Sequence, residues 1–261
     1  MISDGLDFAD RVAIVTGGAT GIGYATARQL AALGAKVVIC SRTESELSAA
    51  ADRIASETGS PCLGVPTDVK QEAPVVALVE RTVAEFGRID VLINNAGGTR
   101  MGPLESIPTH GWDSIFELNT KSAYFATREA GKHMIAQRSG AIVNISSGAG
   151  MHGVKGGAHY SSAKAALQMF TRVTAAEWGR YGIRANCVAA GAIASERVLA
   201  AWDVAGLKPD EMGAAVPMGR VGTPDEIANM IVFLASDAAG YVTGQVIGVD
   251  GGPALGGIEL D

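Results

Sequence analysis

Short β-branched apolar runs recur seven times along this chain, and longer stretches with helical spacing lie between them. The runs fall at 12–16, 36–40, 62–65, 91–94, 141–146, 184–188 and 245–249. Most are continuously apolar with no alternation, the pattern of strands covered on both faces. Helical patterns occupy 21–33, 44–57, 72–86, 109–137, 160–181 and 224–235. A helix between successive strands returns the chain to the same edge of a sheet, so the strands run parallel with helices on both faces. The expectation is therefore α/β, with a doubly wound parallel seven-stranded sheet. The 261 residues suit one such domain, and no repeat, low-complexity tract or linker divides them.

The last helix carries its own start signal. Thr223 stands at the N-cap, Pro224 at the first helical position and Glu226 three residues after the cap. The stretch 192–221 breaks the regularity and reads as a substrate lid with a short helix or two. Its Trp202, Val204, Leu207, Met212, Val216 and Met218 suit either an apolar pocket or packing of the lid itself. The tail 253–261 is expected to join an interface or fray.

A hydrophobic content of 48% with 18% charged residues is globular, not disordered. The net charge of −6 argues against a nucleic-acid partner. No apolar run reaches the ~18 residues that span a bilayer, so no membrane is expected. The first ten residues hold three aspartates and no cationic stretch, unlike a secretory signal, which makes the cytoplasm the expected location. Cys40, Cys62 and Cys187 are odd in number and widely spaced, and the four histidines are scattered. Without ligand spacing, no metal site is expected.

The first strand runs directly into Thr16-Gly17-Gly18-Ala19-Thr20-Gly21-Ile22-Gly23, and a helix follows. Glycines there let backbone N–H groups and a helix N-terminus approach a pyrophosphate. The end of the second strand bears on the choice of cofactor. An acid suits the ribose 2′-OH of NAD, and an arginine suits the 2′-phosphate of NADP. This chain reads Ser41-Arg42-Thr43, with no acid until Glu44. NADP(H) is favoured and NAD(H) stays open, with Arg42 pairing the phosphate and Ser41 adding a hydroxyl.

Tyr160 and Lys164 stand four apart on a helical stretch and so share a face. A cation beside a phenol favours the phenolate, drawing a pKa near 10 toward neutrality. Ser147 ends the fifth strand and Asn95 follows the fourth. In a parallel sheet both strand ends open on the same ligand crevice as the glycine turn.

These pieces together resemble the short-chain dehydrogenase/reductase family, in particular its 3-oxoacyl carrier-protein reductase-like members. The matching segments are TGGATGIG at 16–23, Asp68-Val69, NNAG at 94–97, Asn119, ISS at 145–147, YSSAK at 160–164 and TGQVIGVDGG at 243–252. They extend over nearly the whole chain. The resemblance implies a Rossmann-type fold and hydride transfer between cofactor and a ketone or secondary alcohol. It implies that Tyr160 is the acid or base and that Lys164 lowers its pKa and holds the nicotinamide ribose. Ser147 resembles the hydroxyl that polarises the carbonyl, and Asn119 the residue that holds a helix kink and a relay water. Asp68, with Val69 after it, is similar to the residue meeting the adenine. Asn95, Ala96 and Gly97 are similar to the turn under the adenosine ribose.

After the sixth strand the family pattern of Pro-Gly followed by threonine is altered. The chain reads Ala190-Gly191-Ala192-Ile193-Ala194-Ser195, so Gly191 and Ile193 keep the loop and Ser195 takes the threonine position toward the nicotinamide. Thr20 stands where many NADP-binding relatives carry a second basic residue. The resemblance further implies a homo-oligomer, here a tetramer, formed through the two long central helices. A 3-oxoacyl thioester is one candidate substrate, with Arg138 and Arg180 able to meet an acidic carrier. An NAD-dependent sugar, polyol or steroid dehydrogenase is the alternative enzyme. A non-catalytic NADP-binding regulatory protein is the other class, and it is disfavoured by the intact Asn119–Ser147–Tyr160–Lys164 set.

Overall fold

The computed structural model describes residues 5–252, so the tail 253–261 lies outside the described residues. Strands β1 (Val12–Thr16), β2 (Lys36–Ser41), β3 (Cys62–Pro66), β4 (Val91–Asn94), β5 (Gly140–Ser147), β6 (Ile183–Ala190) and β7 (Val246–Val249) form one sheet. Its order is β3-β2-β1-β4-β5-β6-β7, and every neighbouring pair is parallel. The chain builds outward from β1 to β3, then returns to lay β4 on the other side of β1. The carboxyl ends of β1 and β4 therefore diverge into a crevice, the position where such sheets bind ligands.

The continuous apolar runs are explained by two hydrophobic layers. Along β1, Ala13 and Val15 face one layer and Ile14 faces the other, and all three are fully buried. The first layer is closed by Leu30 of α1 (Gly21–Ala32), Leu47 and Ile54 of α2 (Glu44–Thr58), and Ile227 and Ile231 of α10 (Pro224–Ala235). The second is closed by Val75 and Leu78 of α3 (Glu72–Phe86), Phe125 and Met134 of α5 (Ser122–Gln137), and Ala175 of α7 (Ala158–Trp178). Close approach of α5 and α7 depends on Gly131, where a Cβ would lie 2.3 Å from the Trp178 ring. Helix α10 begins as its sequence signals: the Thr223 hydroxyl accepts from Glu226 N at 3.3 Å, and Thr223 N donates to the Glu226 carboxylate at 2.8 Å.

Several boundaries depart from the sequence expectation. The single helix expected over 109–137 is divided into α4 (Thr109–Phe116), a π-turn Glu117–Lys121, and α5. The helix expected over 160–181 starts earlier, at Ala158, and closes in a tighter 3₁₀ turn, Gly179–Tyr181. Between β5 and α7 lies a short helix α6 (Ala149–His152). The lid forms α8 (Glu196–Val204) and α9 (Pro209–Ala214). Its Val204, Leu207 and Met218 face solvent, so they neither pack the lid down nor enclose a pocket in this chain. No described helix is long and apolar enough to cross a membrane.

Candidate active site

The glycine turn is shaped by close backbone contact. Gly17 and Gly21 adopt φ of +64° and +57°, in the left-handed region that favours glycine. A Cβ on Gly23 would lie 2.2 Å from the Gly17 carbonyl oxygen and 2.5 Å from Asn95 Nδ2. Only a hydrogen fits, so α1 starts directly against the turn. Thr20, its N-cap, makes no side-chain cap, and the first turn carries no acid. The leading N–H groups and the positive end of the helix dipole are left for an anion.

Asn95 also ties the crevice together from within. Its Nδ2 donates to the carbonyls of Thr16 (2.9 Å) and Gly17 (3.1 Å). The Thr16 hydroxyl in turn accepts from the N–H groups of Asn95 and Ala96, both at 3.0 Å. The two strand ends are thus tied across the crevice, and the Asn95 amide donors are spent on the turn itself. Asp68 accepts from Lys70 N (3.1 Å) and Gln71 Nε2 (3.4 Å), and Val69 beside it is buried. Arg42 is exposed at the end of β2 and makes no ion pair among the described residues.

At the other side of the crevice, Asn119 is buried in the π-turn. Its Nδ2 donates to the carbonyls of Gly98 (2.8 Å) and Ile115 (2.9 Å), and its Oδ1 accepts from Gly98 N (3.1 Å). The π-turn breaks the regular i→i−4 ladder, and the side chain supplies a partner to the Ile115 carbonyl. A Cβ on Gly97 would meet both Asn119 Oδ1 (2.8 Å) and Lys164 Nζ (3.1 Å). Gly97 is therefore the point where the strand end, the π-turn and the Lys164 ammonium come together.

Lys164 is 4% exposed and donates from Nζ to the Ile145 carbonyl at 2.7 Å. Burial pulls its ammonium down to about 8. Tyr160 behaves otherwise than expected: burial pushes its phenol up, and the Ser147 hydroxyl only partly offsets that. Lys164 Nζ lies 5.8 Å from the centre of the Tyr160 ring, anchored on β5 by the Ile145 carbonyl. A neutral phenol next to Ser147 is what a proton donor requires. Ser147 Oγ accepts from Ala149 N at 3.2 Å, which leaves its own proton free to donate.

Two residues of the loop after β6 also serve the fold. Ser195 Oγ accepts from Val198 N at 3.4 Å as the N-cap of α8, though the residue still faces the glycine turn: a Cβ on Gly21 would be 3.2 Å from its own Cβ. The Ile193 side chain is buried in the core, so only its backbone faces outward; Gly191 packs on Asp250. Arg138 and Arg180 lie after α5 and α7, at the amino ends of β5 and β6, with Arg138 Nη2 donating to the Arg180 carbonyl at 3.0 Å. That edge is the length of an eight-residue strand, roughly 25 Å, from Ser147.

Sequence reasoning missed Gln168. Its Nε2 donates to Ser146 Oγ (3.0 Å) and the Ser147 carbonyl (3.3 Å), while Ser146 Oγ donates to the Lys164 carbonyl (3.0 Å). Its position, four residues beyond Lys164 on the same helix face, was the available signal.

The family model described as Enoyl-(Acyl carrier protein) reductase matches residues 17–253. The chain is a short-chain dehydrogenase/reductase. It is 41% identical, over 94% of its length and 97% of the relative's, to (2S)-[(R)-hydroxy(phenyl)methyl]succinyl-CoA dehydrogenase subunit BbsD of Thauera aromatica. It is 42% identical to 3-oxoacyl-[acyl-carrier-protein] reductase FabG of Chlamydia muridarum, over 94% of this chain and 98% of that one. Among solved structures, levodione reductase superposes with a TM-score of 0.89 at 35% identity, covering 94% of this chain and 97% of that one. As a short-chain dehydrogenase/reductase, the protein is an oxidoreductase acting on CH–OH or C=O groups. Among its described residues no three His, Cys, Asp or Glu side chains are grouped to hold a metal.

Proposed function

We propose that this short-chain dehydrogenase/reductase uses NADP(H) and reduces a ketone, or oxidises the corresponding secondary alcohol, at Tyr160. The observation that carries this reading is the convergence of Tyr160, Ser147, Lys164 and Asn119 at the carboxyl end of β5, across the crevice from the glycine turn. The turn fits a dinucleotide: it leaves the first N–H groups of α1 uncapped, and the left-handed Gly17 and Gly21 put no side chain in the way. Gly17, Ala19, Thr20, Gly21 and Ile22 would hold the pyrophosphate, and Asp68, Val69, Ala96 and Gly97 the adenosine half. Arg42 and Ser41 would meet the 2′-phosphate; the absence of an acid at the end of β2 favours NADP(H) over NAD(H). Lys164 and the 191–195 loop would face the nicotinamide ribose.

When bound, NADPH supplies the hydride to the carbonyl carbon. Ser147 Oγ donates a hydrogen bond to the carbonyl oxygen and fixes its direction. Tyr160 Oη then gives its proton to that oxygen, and the raised pKa keeps the phenol protonated for this step. Lys164 Nζ, set by the Ile145 carbonyl, lies near enough to stabilise the phenolate as it forms. The similarity to acyl-thioester enzymes favours a 3-oxoacyl or related thioester as substrate class.

Tyr160→Phe tests the assignment. It is expected to lower kcat about 10²–10⁴-fold while NADPH still binds, read by quenching of intrinsic fluorescence. Undiminished turnover in that variant, across a ketone panel run with NADPH and NADH side by side, would overturn it. Faster turnover with NADH than with NADPH would overturn the cofactor preference alone.

A further inference from the structure

A cavity of about 650 Å³ lies between the β4–α4 connection, α4 and the first turn of α7. Its ionisable lining is Arg100, His110 and His159, and its apolar lining includes Met101, Ile107 and Ile115. No carboxylate lines it. His159 is 4% exposed, and its buried Nδ1 has no hydrogen-bond partner. Native interiors rarely leave such an atom without a partner. Arg100 is exposed and makes no ion pair among the described residues. Its guanidinium is free for a planar anion.

Three chain segments join this cavity to the active site. His159 immediately precedes Tyr160 on α7. The carbonyl of Ile115 is bound by Asn119 Nδ2. Met101 packs on Gly157, where a Cβ would come within 3.3 Å of its Cε, and Gly102 N donates to the Gly156 carbonyl at 2.8 Å. The lining residues Met101 and Gly102 thus contact the end of the 153–157 segment that leads from Ser147 to Tyr160.

The geometry points to a subsite here for a carboxylate carried on the substrate, with Arg100 as its main cation, His110 and His159 as further donors, and apolar walls for the carbon skeleton between carboxylate and ketone. This inference deepens the proposed ketone reduction and rests on it, naming the substrate class as oxo acids or acyl groups bearing a free carboxylate.

The test compares 4-oxopentanoate and 4-oxo-4-phenylbutanoate with their methyl esters. For each pair, kcat/KM with NADPH is measured in the natural enzyme and in Arg100→Gln. The acids are expected to exceed their esters by tenfold or more, and Arg100→Gln is expected to shrink that ratio at least fivefold. Arg100 is exposed, so its replacement leaves folding intact; a melting curve verifies this. Binding of the two acids to Tyr160→Phe, with and without Arg100→Gln, is measured by calorimetry and needs no turnover. Acid binding weakened by Arg100→Gln supports the subsite even if no ketone is reduced, an outcome that would count against the proposed function alone. Esters used as well as acids, or acids bound equally with and without Arg100, would overturn the subsite.

Discussion

Lys164 shows how one side chain can serve the site at the expense of the fold. Its ammonium sits at about 8 when folded, against an ordinary lysine value of 10.5. The unfolded chain holds that proton more tightly, so between roughly pH 8 and 10.5 stability from this residue rises with pH, and below about 8 the full penalty applies. A shift of this size corresponds to roughly 3 kcal/mol. Replacing the ammonium by an isosteric apolar chain removes the penalty. Lys164→Met is therefore expected to be more stable, relative to the natural protein, at pH 7 than at pH 10.5, by up to about 3 kcal/mol, while turnover collapses. Urea unfolding of both proteins at the two pH values checks this; an equal difference at both would show that the lysine is not held against its charge. Taking the difference between two proteins cancels the opposing effect of the thiols Cys40 and Cys62, whose pKa values are raised by burial.

Among the elements, the junction of β1 and α1 is the least tolerant of change. Asn95 ties the carbonyls of Thr16 and Gly17, and Gly23 lies against the same Gly17 carbonyl. A methyl group at Gly23 has backbone on one side and the Asn95 amide on the other. Gly23→Ala is expected to cost about 1–3 kcal/mol through overpacking and to weaken NADPH binding at least tenfold, since the turn must open to admit it. Thermal unfolding and a fluorescence titration read the two effects; a variant with natural affinity would show that the turn does not bind the cofactor. The π-turn is a second such element. Its position depends on Asn119 reaching Gly98, 21 residues back, and no local propensity in 117–121 encodes that.

For the whole molecule, the exposed apolar residues Tyr124 on α5 and Met169 and Val173 on α7 lie on the two central helices. Met169 and Val173 are four apart and share a face. We propose that this face joins copies of the chain into a tetramer. Light scattering is expected to give the mass of four 26.7 kDa chains, and Met169→Asp to lower it. A monomeric mass for the natural protein at micromolar concentration would refute the assembly. The two hydrophobic layers explain why the fold itself does not depend on that contact: each is closed within the chain by its own three helices.

Much of this was legible in the amino-acid order because it is encoded locally. Strands buried on both faces must be largely apolar, as 12–15 and 91–93 are, and alternation with helices leaves a parallel sheet as the simplest arrangement. The four-residue spacing of Tyr160 and Lys164 is a property of any helix. Tertiary contact alone decided the rest. It spent the Asn95 amide on the glycine turn, the Ser195 hydroxyl on capping α8 and the Ile193 side chain on the core. It placed Arg138 and Arg180 at the far edge of the sheet, recruited Gln168, and brought His159 to the cavity with Arg100. It also kept the Tyr160 phenol high and brought Lys164 down, because burial and distance set those values and neither is written in residue spacing.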